Sequence, residues 1–419
     1  MSHDQAKPRF STTAAGLLLG RIGLIFLTAI LLVAGWAGLS GLVVLISLFL
    51  AAAGLAKLWS ILSLSGVHCH RSLTQKRIFP GETIEWALRL ENRKPIPLPW
   101  IRTDEEIPLG LSPLEGLVRE QQPTVAALSR TAALLWYRSI TWRFRLQGRR
   151  RGYYPTGSTT VTSGDIFGLY SRSMILPDRD YIIVYPRIFP IIRIDLPSLQ
   201  PMGDSAVDKR LFQDPARPIG VRDYQPFDSL KHIHWKASAR RQGLQVKIFE
   251  PTTTFKVAIF LAIDSFQRNG AFDEDLFELG ISTAATIAYH LSEQGSPVGL
   301  YVNTQSAEGG QGISILPGAN RDQLIQILEA LAKTTEKAKE SFDALLMRER
   351  EGLPAGTTLV MVCAELSEPL SELLRDMKES GHKVLLLLVG AQEINSRNMP
   401  VPWHLIRQPG DLGEVRCVQ

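Results

Sequence analysis

Apolar and polar positions obey three different rules along the 419 residues of this chain. Between positions 22 and 56 there are 35 consecutive residues without a charge or a histidine. One membrane-spanning helix needs about 20 apolar residues, so this run exceeds one span and approaches two. Its middle, Gly35-Trp36-Ala37-Gly38-Leu39-Ser40-Gly41, is rich in helix-weakening glycine and carries an interfacial Trp. The pattern predicts a helical hairpin over 15–34 and 41–60, with Arg21 snorkelling toward its own end of the first helix. A cleaved signal peptide ending near Gly35-Trp36-Ala37 is the competing reading, opposed by the second apolar stretch, which would act as a stop-transfer anchor.

Past Ser60 the period becomes two. Glu82-Thr83-Ile84-Glu85-Trp86-Ala87-Leu88-Arg89-Leu90 alternates as a half-buried strand does, between the turn signals Pro80-Gly81 and Asn92-Arg93-Lys94-Pro95. Tyr137-Arg138-Ser139-Ile140-Thr141-Trp142-Arg143-Phe144-Arg145-Leu146 alternates again, 157–162 does so loosely, and Tyr181-Ile182-Ile183-Val184-Tyr185 is an apolar strand closed by Pro186. Short strands between turns predict a β-sandwich. From Phe255 apolar strands alternate with helical spacing. Strands are expected over 257–263, 297–302, 358–363 and 384–389, and helices over 276–291, 321–337 and 370–380. That succession is the signature of an open, doubly wound α/β sheet, whose sites lie at the carboxyl ends of the strands, where Asp264-Ser265 follows the first. The chain is therefore read as multidomain: a transmembrane α-hairpin (1–62), a β-sandwich (63–198), a linking segment (199–254) and an α/β domain (255–419).

Charge sharpens this picture at its membrane end. Lys7, Arg9 and Arg21 precede the first helix, Lys57, Arg71, Lys76 and Arg77 follow the second, and the connecting loop has no charge. The positive-inside rule then puts both termini in the cytoplasm. Overall, 46 Lys+Arg against 41 Asp+Glu give a diffuse +5, without the concentrated basic surface of a nucleic-acid binder, so no nucleic-acid partner is expected. Three scattered cysteines, Cys69, Cys363 and Cys417, exclude a disulfide-stapled scaffold.

Catalytic grammar is sparse. Gly309-Gly310-Gln311-Gly312 lacks the Lys-Ser/Thr of a P-loop, and no nucleophile elbow, His-Glu-x-x-His, Cys-x-x-Cys or dinucleotide fingerprint occurs. His68/His70 and His232/His234 each supply two ligands at strand spacing, short of the three or four a transition metal needs. Arg149, Arg150 and Arg151, followed by Gly152-Tyr153-Tyr154, form a basic patch suited to a polyanion or to a partner's carboxylates, or a solvated turn. The densest segment runs from Gly220 to Arg240. Asp228 is the predicted N-cap of a helix with Leu230, Ile233 and Ala237 on its core face and Gly243 as terminator. His232, Lys236 and Arg240 make a basic stripe, with Trp235 and Ala239 beside it, near acidic Asp223 and Asp228. A binding hot spot and a buried ion-pair network both use these residue types.

Gly220, Arg222, Tyr224, Asp228, Ile233, Trp235, Ala239 and Arg240 follow the spacing G-x-R-x-Y-x-x-x-D-x-x-x-x-I-x-W-x-x-x-A-R. This resembles the bacterial family called domain of unknown function 58, although Pro226-Phe227-Asp228 stands where the family commonly has Pro/Glu-Gly-Asp. Arg151-Gly152-Tyr153-Tyr154, Ser163-Gly164-Asp165-Ile166-Phe167-Gly168-Leu169 and Val184-Tyr185-Pro186 extend the likeness upstream. The resemblance implies a two-helix anchor in the bacterial inner membrane, a β-sandwich and a von Willebrand A-like α/β domain, partnered by a MoxR-type AAA+ ATPase, with no catalysis of its own. Related von Willebrand A domains hold magnesium through Asp-x-Ser-x-Ser. Here Asp264-Ser265-Phe266-Gln267-Arg268 keeps the Asp and misses both required serines, so no metal and no cofactor is expected.

The leading expectation is a membrane-anchored, cytoplasm-facing adaptor that docks protein partners through Gly220, Arg222, Tyr224, Asp228, Trp235, Lys236 and Arg240. An acid/base hydrolase using Asp264 with Asp223 or Asp228 is the second class. Binding of a polyanion or anionic lipid through Arg149, Arg150 and Arg151 and the Lys236/Arg240 stripe is the third.

Overall fold

A computed structural model describes residues 9–11, 21–108, 110–114, 118–122, 125–176, 180–194, 213–225, 232–251, 256–268, 271–307, 312–320, 322–353, 356–390 and 399–415. The chain divides into two compact units, Met1–Arg187 and Ile188–Gln419.

In the first unit the apolar run forms two helices, α1 (Arg21–Trp36) and α2 (Ser40–Ser63), packed on each other. The turn between them is made at the predicted glycines, with Gly38 at φ +70° and the Leu39 N–H donating to the Ala34 carbonyl. Among the described residues α2, with 24 residues and a mean hydropathy of 2.2, is the one helix long and apolar enough to cross a membrane. At 1.5 Å per residue it spans about 36 Å. α1 is shorter, and positions 15–20 of its predicted extent lie outside the described residues.

Beyond α2 the alternating stretches become strands in two main sheets. One has the order Arg9–Ser11, Ser171–Leu176, Thr159–Gly164, Leu98–Pro108, Val125–Leu134, Val118–Gln122; the other runs Val67–Leu73, Thr83–Asn92, Ser139–Gly148, Leu111–Pro113. Thr83–Asn92 turns Ile84, Trp86, Leu88 and Leu90 inward, as its period requires. Ile84, Trp86 and Leu88 meet Ile107 and Leu128 of the first sheet in one core, and Leu90 joins Leu98 and Ile101 in a second. Arg71 ties the two sheets together inside the first core. Its guanidinium donates to Glu105 at 2.8 Å, to the Thr159 hydroxyl at 2.6 Å and to the Gly157 carbonyl at 3.1 Å, and lies 4.3 Å from the Trp86 ring centroid.

The second unit is built on a six-stranded sheet of order Ile313–Gly318, Val298–Val302, Val257–Leu261, Thr358–Cys363, Lys383–Val389, Trp403–Ile406, parallel except at the first strand. The central strands are buried along their length, which is why they read as unbroken apolar runs. A hairpin of Gln213–Asp223 with Gln245–Pro251 precedes this sheet and encloses the short helix α3 (Trp235–Arg241). Four more helices follow: α4 (Glu274–Glu293), α5 (Gln323–Lys333), α6 (Phe342–Arg350) and α7 (Glu368–Glu379). Phe342, Leu345 and Leu346 of α6 and Leu370, Leu373 and Leu374 of α7 join Ala258, Phe260, Leu359, Met361 and Leu386 on one face. α4 crosses four of the strands with α5 beside it, which gives the doubly wound arrangement.

Two expected helices are corrected. The stretch 321–337 is not one helix: α5 stops at Lys333, and Thr334–Ala338 pairs as a strand with Thr304–Ser306. The apolar spacing ends at Ala332, β-branched Thr334-Thr335 follow, and the Thr335 N–H and carbonyl bond the Thr304 hydroxyl instead of continuing the helix. The helix expected to start at Asp228 starts at Trp235, with His234 as its N-cap. Ile233 faces inward because it bridges Val246 on the hairpin, so its helical spacing from Ala237 was coincidental.

Candidate functional site

The two halves of the Gly220–Arg240 motif are brought together by the strand that follows it. On one side Gly220 pairs with Ile248, Arg222 with Val246 and Asp223 with Gln245, and the Tyr224 N–H donates to the Leu244 carbonyl at 2.9 Å. On the other side Ile233 bridges Val246, and the His234 N–H donates to the Gln245 carbonyl at 2.8 Å. Gln245, 2% exposed, is the knot: its side-chain amide donates to the Asp223 carboxylate, and its backbone N–H donates to the Ser238 hydroxyl at 2.9 Å. Ser238 in turn donates to the His234 carbonyl at 3.1 Å. His234 Nδ1 accepts from the Ala237 N–H at 3.1 Å, so this ring caps the helix with one of its two nitrogens.

This network links Asp223, His234, Ser238 and Gln245, and the Arg222 guanidinium also donates to the Asp223 carbonyl at 3.2 Å. Of the residues expected to carry binding, several lie on the surface. Trp235 is 69% exposed and Leu244 46% exposed; Arg222, Lys236, Ala239, Arg240 and Arg241 are exposed as well, and α3 buries none of its own side chains. Gly220 and Tyr224 are half-buried, and Asp228 lies outside the described residues. An indole flanked by a lysine and two arginines is a composition made for an apolar groove with an acidic rim.

Asp264 has the opposite surroundings. It follows the first strand of the sheet, where the α/β pattern placed it, in a 3₁₀ turn over Asp264–Phe266. One carboxylate oxygen accepts from Asn303 Nδ2 at 3.0 Å and the other from the Phe342 N–H at 2.9 Å. Asn303 is fully buried and also accepts from the Ile263 N–H at 2.7 Å and donates to the Glu340 carbonyl at 3.1 Å. The Ser265 hydroxyl donates to the Ala262 carbonyl and accepts from the Ala364 N–H. The pair thus ties the start of α6 and the end of a neighbouring strand to the sheet edge. Burial, and then the Asp264 charge, push the Cys363 thiol up to about 12, and the same two causes raise the Asp343 carboxyl. Asp223 and Asp264 are held by different partners and share none of these hydrogen bonds. Among the described residues no three His, Cys, Asp or Glu side chains gather as a metal would require.

Arg149, Arg150 and Arg151 follow the strand Ser139–Gly148, whose first residues pair beside Asn92 and whose last lie by Leu111. That strand of ten residues separates them from the end at which α2 enters, by about 30 Å. Tyr154 braces the turn by donating to the Arg150 carbonyl at 3.0 Å.

Sequence reasoning missed Asn303, an isolated amide 39 residues from Asp264. It also missed Lys94 and Arg172. Lys94 donates to the carbonyls of Leu62 and Ser65 at 2.7 Å and to that of Ser63, and Arg172 donates to the Ile61 carbonyl at 3.1 Å, so two cations close the end of α2. Burial pushes the Lys94 ammonium down to about 8, which leaves it charged at neutral pH where it meets those carbonyls.

The model of the family described as "Protein of unknown function DUF58" matches residues 220–397, starting at the first glycine of the motif. The chain carries a DUF58 region. A protein from Bacillus subtilis (strain 168) named "Uncharacterized protein YeaD" is 27% identical over 253 residues, which are 60% of this chain and 59% of the relative. The chain thus spans less than two thirds of that relative's length. Two solved structures show shallow likenesses. A β-glucosidase from Listeria innocua in complex with gluconolactone shares 12% identity over 28% of this chain and 16% of its own, at a TM-score of 0.15. A GH20 exo-β-N-acetylglucosaminidase from Vibrio harveyi shares 9% over 79% and 68%, at 0.20. Neither likeness assigns a fold or an activity. The exposed Trp235 and Arg240 both lie in the DUF58 region, as do Asp264 and Asn303.

Proposed function

We propose that this protein is a membrane-anchored adaptor whose DUF58 region docks a protein partner through α3 and the adjoining hairpin. The exposure of Trp235 carries this reading. A tryptophan on a helix that buries none of its residues contributes little to the fold, and the basic side chains around it suit an acidic partner surface. The partner in this reading is a MoxR-type AAA+ ATPase, which supplies the energy while this chain supplies position, and the α/β domain is a metal-free relative of the von Willebrand A fold. Anchoring rests on α1 and α2. The short strand Arg9–Ser11, ahead of α1, pairs with Ser171–Ser173, beyond α2, which supports a hairpin that returns the chain to one side of the membrane. The lysines and arginines flanking it favour the cytoplasmic side of a bacterial inner membrane.

The test is affinity purification of the full chain from native membranes in mild detergent, against a Trp235→Ala/Arg240→Ala variant whose folding is checked by limited proteolysis. Recovery of an ATPase with the wild type and its loss with the folded variant is the expected result. Equal recovery by both would move the docking surface away from α3.

A further inference from the structure

Five large apolar side chains of the first unit are exposed in two loops that have no place in either core. Leu135, Trp136 and Tyr137, at 54, 56 and 67%, form the turn between Val125–Leu134 and Ser139–Gly148; Ile166 and Phe167, at 61 and 68%, lie between Thr159–Gly164 and Ser171–Leu176. Both turns are built to hold their tips outward. Tyr137 has φ +52°, a left-handed conformation that bulky residues rarely adopt. In the second turn the buried Asp165 accepts from the N–H groups of Phe167, Leu169 and Tyr170 at 2.9, 3.3 and 2.6 Å, and Trp100 Nε1 donates to its carbonyl at 3.1 Å. Asp165 is 1% exposed while the two residues after it stand in the open.

Strand register puts both loops at the end where α2 arrives. Val67, separated from α2 by three residues, pairs with Asn92; Glu91 pairs with Ser139, and Leu98 with Leu134, so the first loop borders this end. The Asn92 amide donates to the Leu135 carbonyl at 3.1 Å. Ile101 pairs with Ser163, and Arg172, just past the second loop, reaches the Ile61 carbonyl of α2 itself.

We propose that this rim, Leu135-Trp136-Tyr137 and Ile166-Phe167, is seated in the interfacial zone of the bilayer from which α2 emerges. The inference rests on the reading of α1 and α2 as a membrane anchor. The occupant is lipid because the apolar tips continue the apolar surface of the span at its own end. A Trp-Tyr pair is also the composition of membrane-interface belts, and exposed Arg138 beside it suits anionic headgroups. Exposed apolar tips on rigid turns have no gain in water, whereas at the headgroup level they add contact to the anchor.

The full chain, with Cys69, Cys363 and Cys417 replaced by alanine, would carry a single NBD-labelled cysteine at Trp136→Cys, Phe167→Cys or, at the opposite end of the strand Thr83–Asn92, Glu82→Cys. Each is reconstituted into vesicles of phosphatidylcholine with phosphatidylglycerol and checked by flotation and resistance to alkaline extraction. Labels at 136 and 167 are expected to emit blue-shifted, to be quenched by a spin label carried near the lipid headgroup, and to resist iodide; the label at 82 should show the reverse. Chains that float but carry wet, iodide-quenched labels at 136 and 167 would overturn the rim and leave the anchor standing. Labels shielded from both quenchers would place protein on the rim and overturn it equally. Failure to float would remove the anchor, and the rim with it.

Discussion

Asp264 and Trp235 lie 29 positions apart in the same DUF58 region, and each looks like a site on paper; their surroundings separate them. Around Asp264 the oxygens of the carboxylate, the serine hydroxyl and both ends of the Asn303 amide are taken up by backbone and side-chain groups of the fold. Around Trp235 the bonding stops at the hairpin, and the indole with its basic neighbours faces outward. Chemistry-bearing residues are therefore distinguished less by type than by how much of their capacity the fold already uses.

Asp264→Ala would test this contrast most severely. It leaves one Asn303 Nδ2 hydrogen and the Phe342 N–H without their acceptor, so a loss of about 3 kcal/mol is expected in chemical denaturation of the detergent-solubilised chain. A variant as stable as wild type would mean that Asp264 is not structural. Packing at the same edge gives a smaller effect. A β-carbon at Gly280 would come within 2.4 Å of the Phe266 ring, and Gly280→Ala should cost about 1–3 kcal/mol by overpacking α4 against the 3₁₀ turn.

The Asp343 carboxyl probes the same edge by pH. Burial, then the Asp264 charge, raise it above its ordinary value of 3.8 in the folded chain. The folded state therefore holds its proton to higher pH than the unfolded chain, and stability falls as pH rises through that window. Asp343→Asn should flatten the fall and raise stability at neutral pH by less than about 0.5 kcal/mol, because solvent still reaches the half-buried group and screens it. Thermal unfolding at acid and neutral pH checks it. At Trp235 the smallest effect on stability is expected: Trp235→Ala should stay within about 0.5 kcal/mol of wild type while partner binding weakens by about tenfold or more, read by titration. A large loss of stability would erase the contrast.

Much of the architecture was legible because periodicity records burial. Thr83–Asn92 and Ser139–Gly148 alternate, Val257–Leu261, Thr358–Cys363 and Lys383–Val389 are apolar throughout, and the run from 22 to 56 has no charge. Trp403–Ile406 escaped notice because an edge strand with half-buried Trp403, His404 and Leu405 carries little pattern. The end of α5 was misplaced because lysines and threonines fit a solvated helix as well as a strand. At the motif, residue identities were readable but their setting was not. The bridge between Ile233 and Val246, which fixes where α3 starts, is a contact across a loop. Asn303, Lys94 and Arg172 act 39, 31 and 111 residues from their partners, beyond any local signal.

The cations at the end of α2 have a mechanical consequence. Only residues 64–66 separate the helix from the strand Val67–Leu73, and the side chains of Lys94, in the loop after Thr83–Asn92, and of Arg172, on the strand Ser171–Leu176, lock onto its last carbonyls. The helix is thus a mast without a swivel. In the proposed anchor, a sideways pull on the β-sheets would reach the lipid as torque on α2, and the tilt of the helix would set the attitude of the β-sheets beside it.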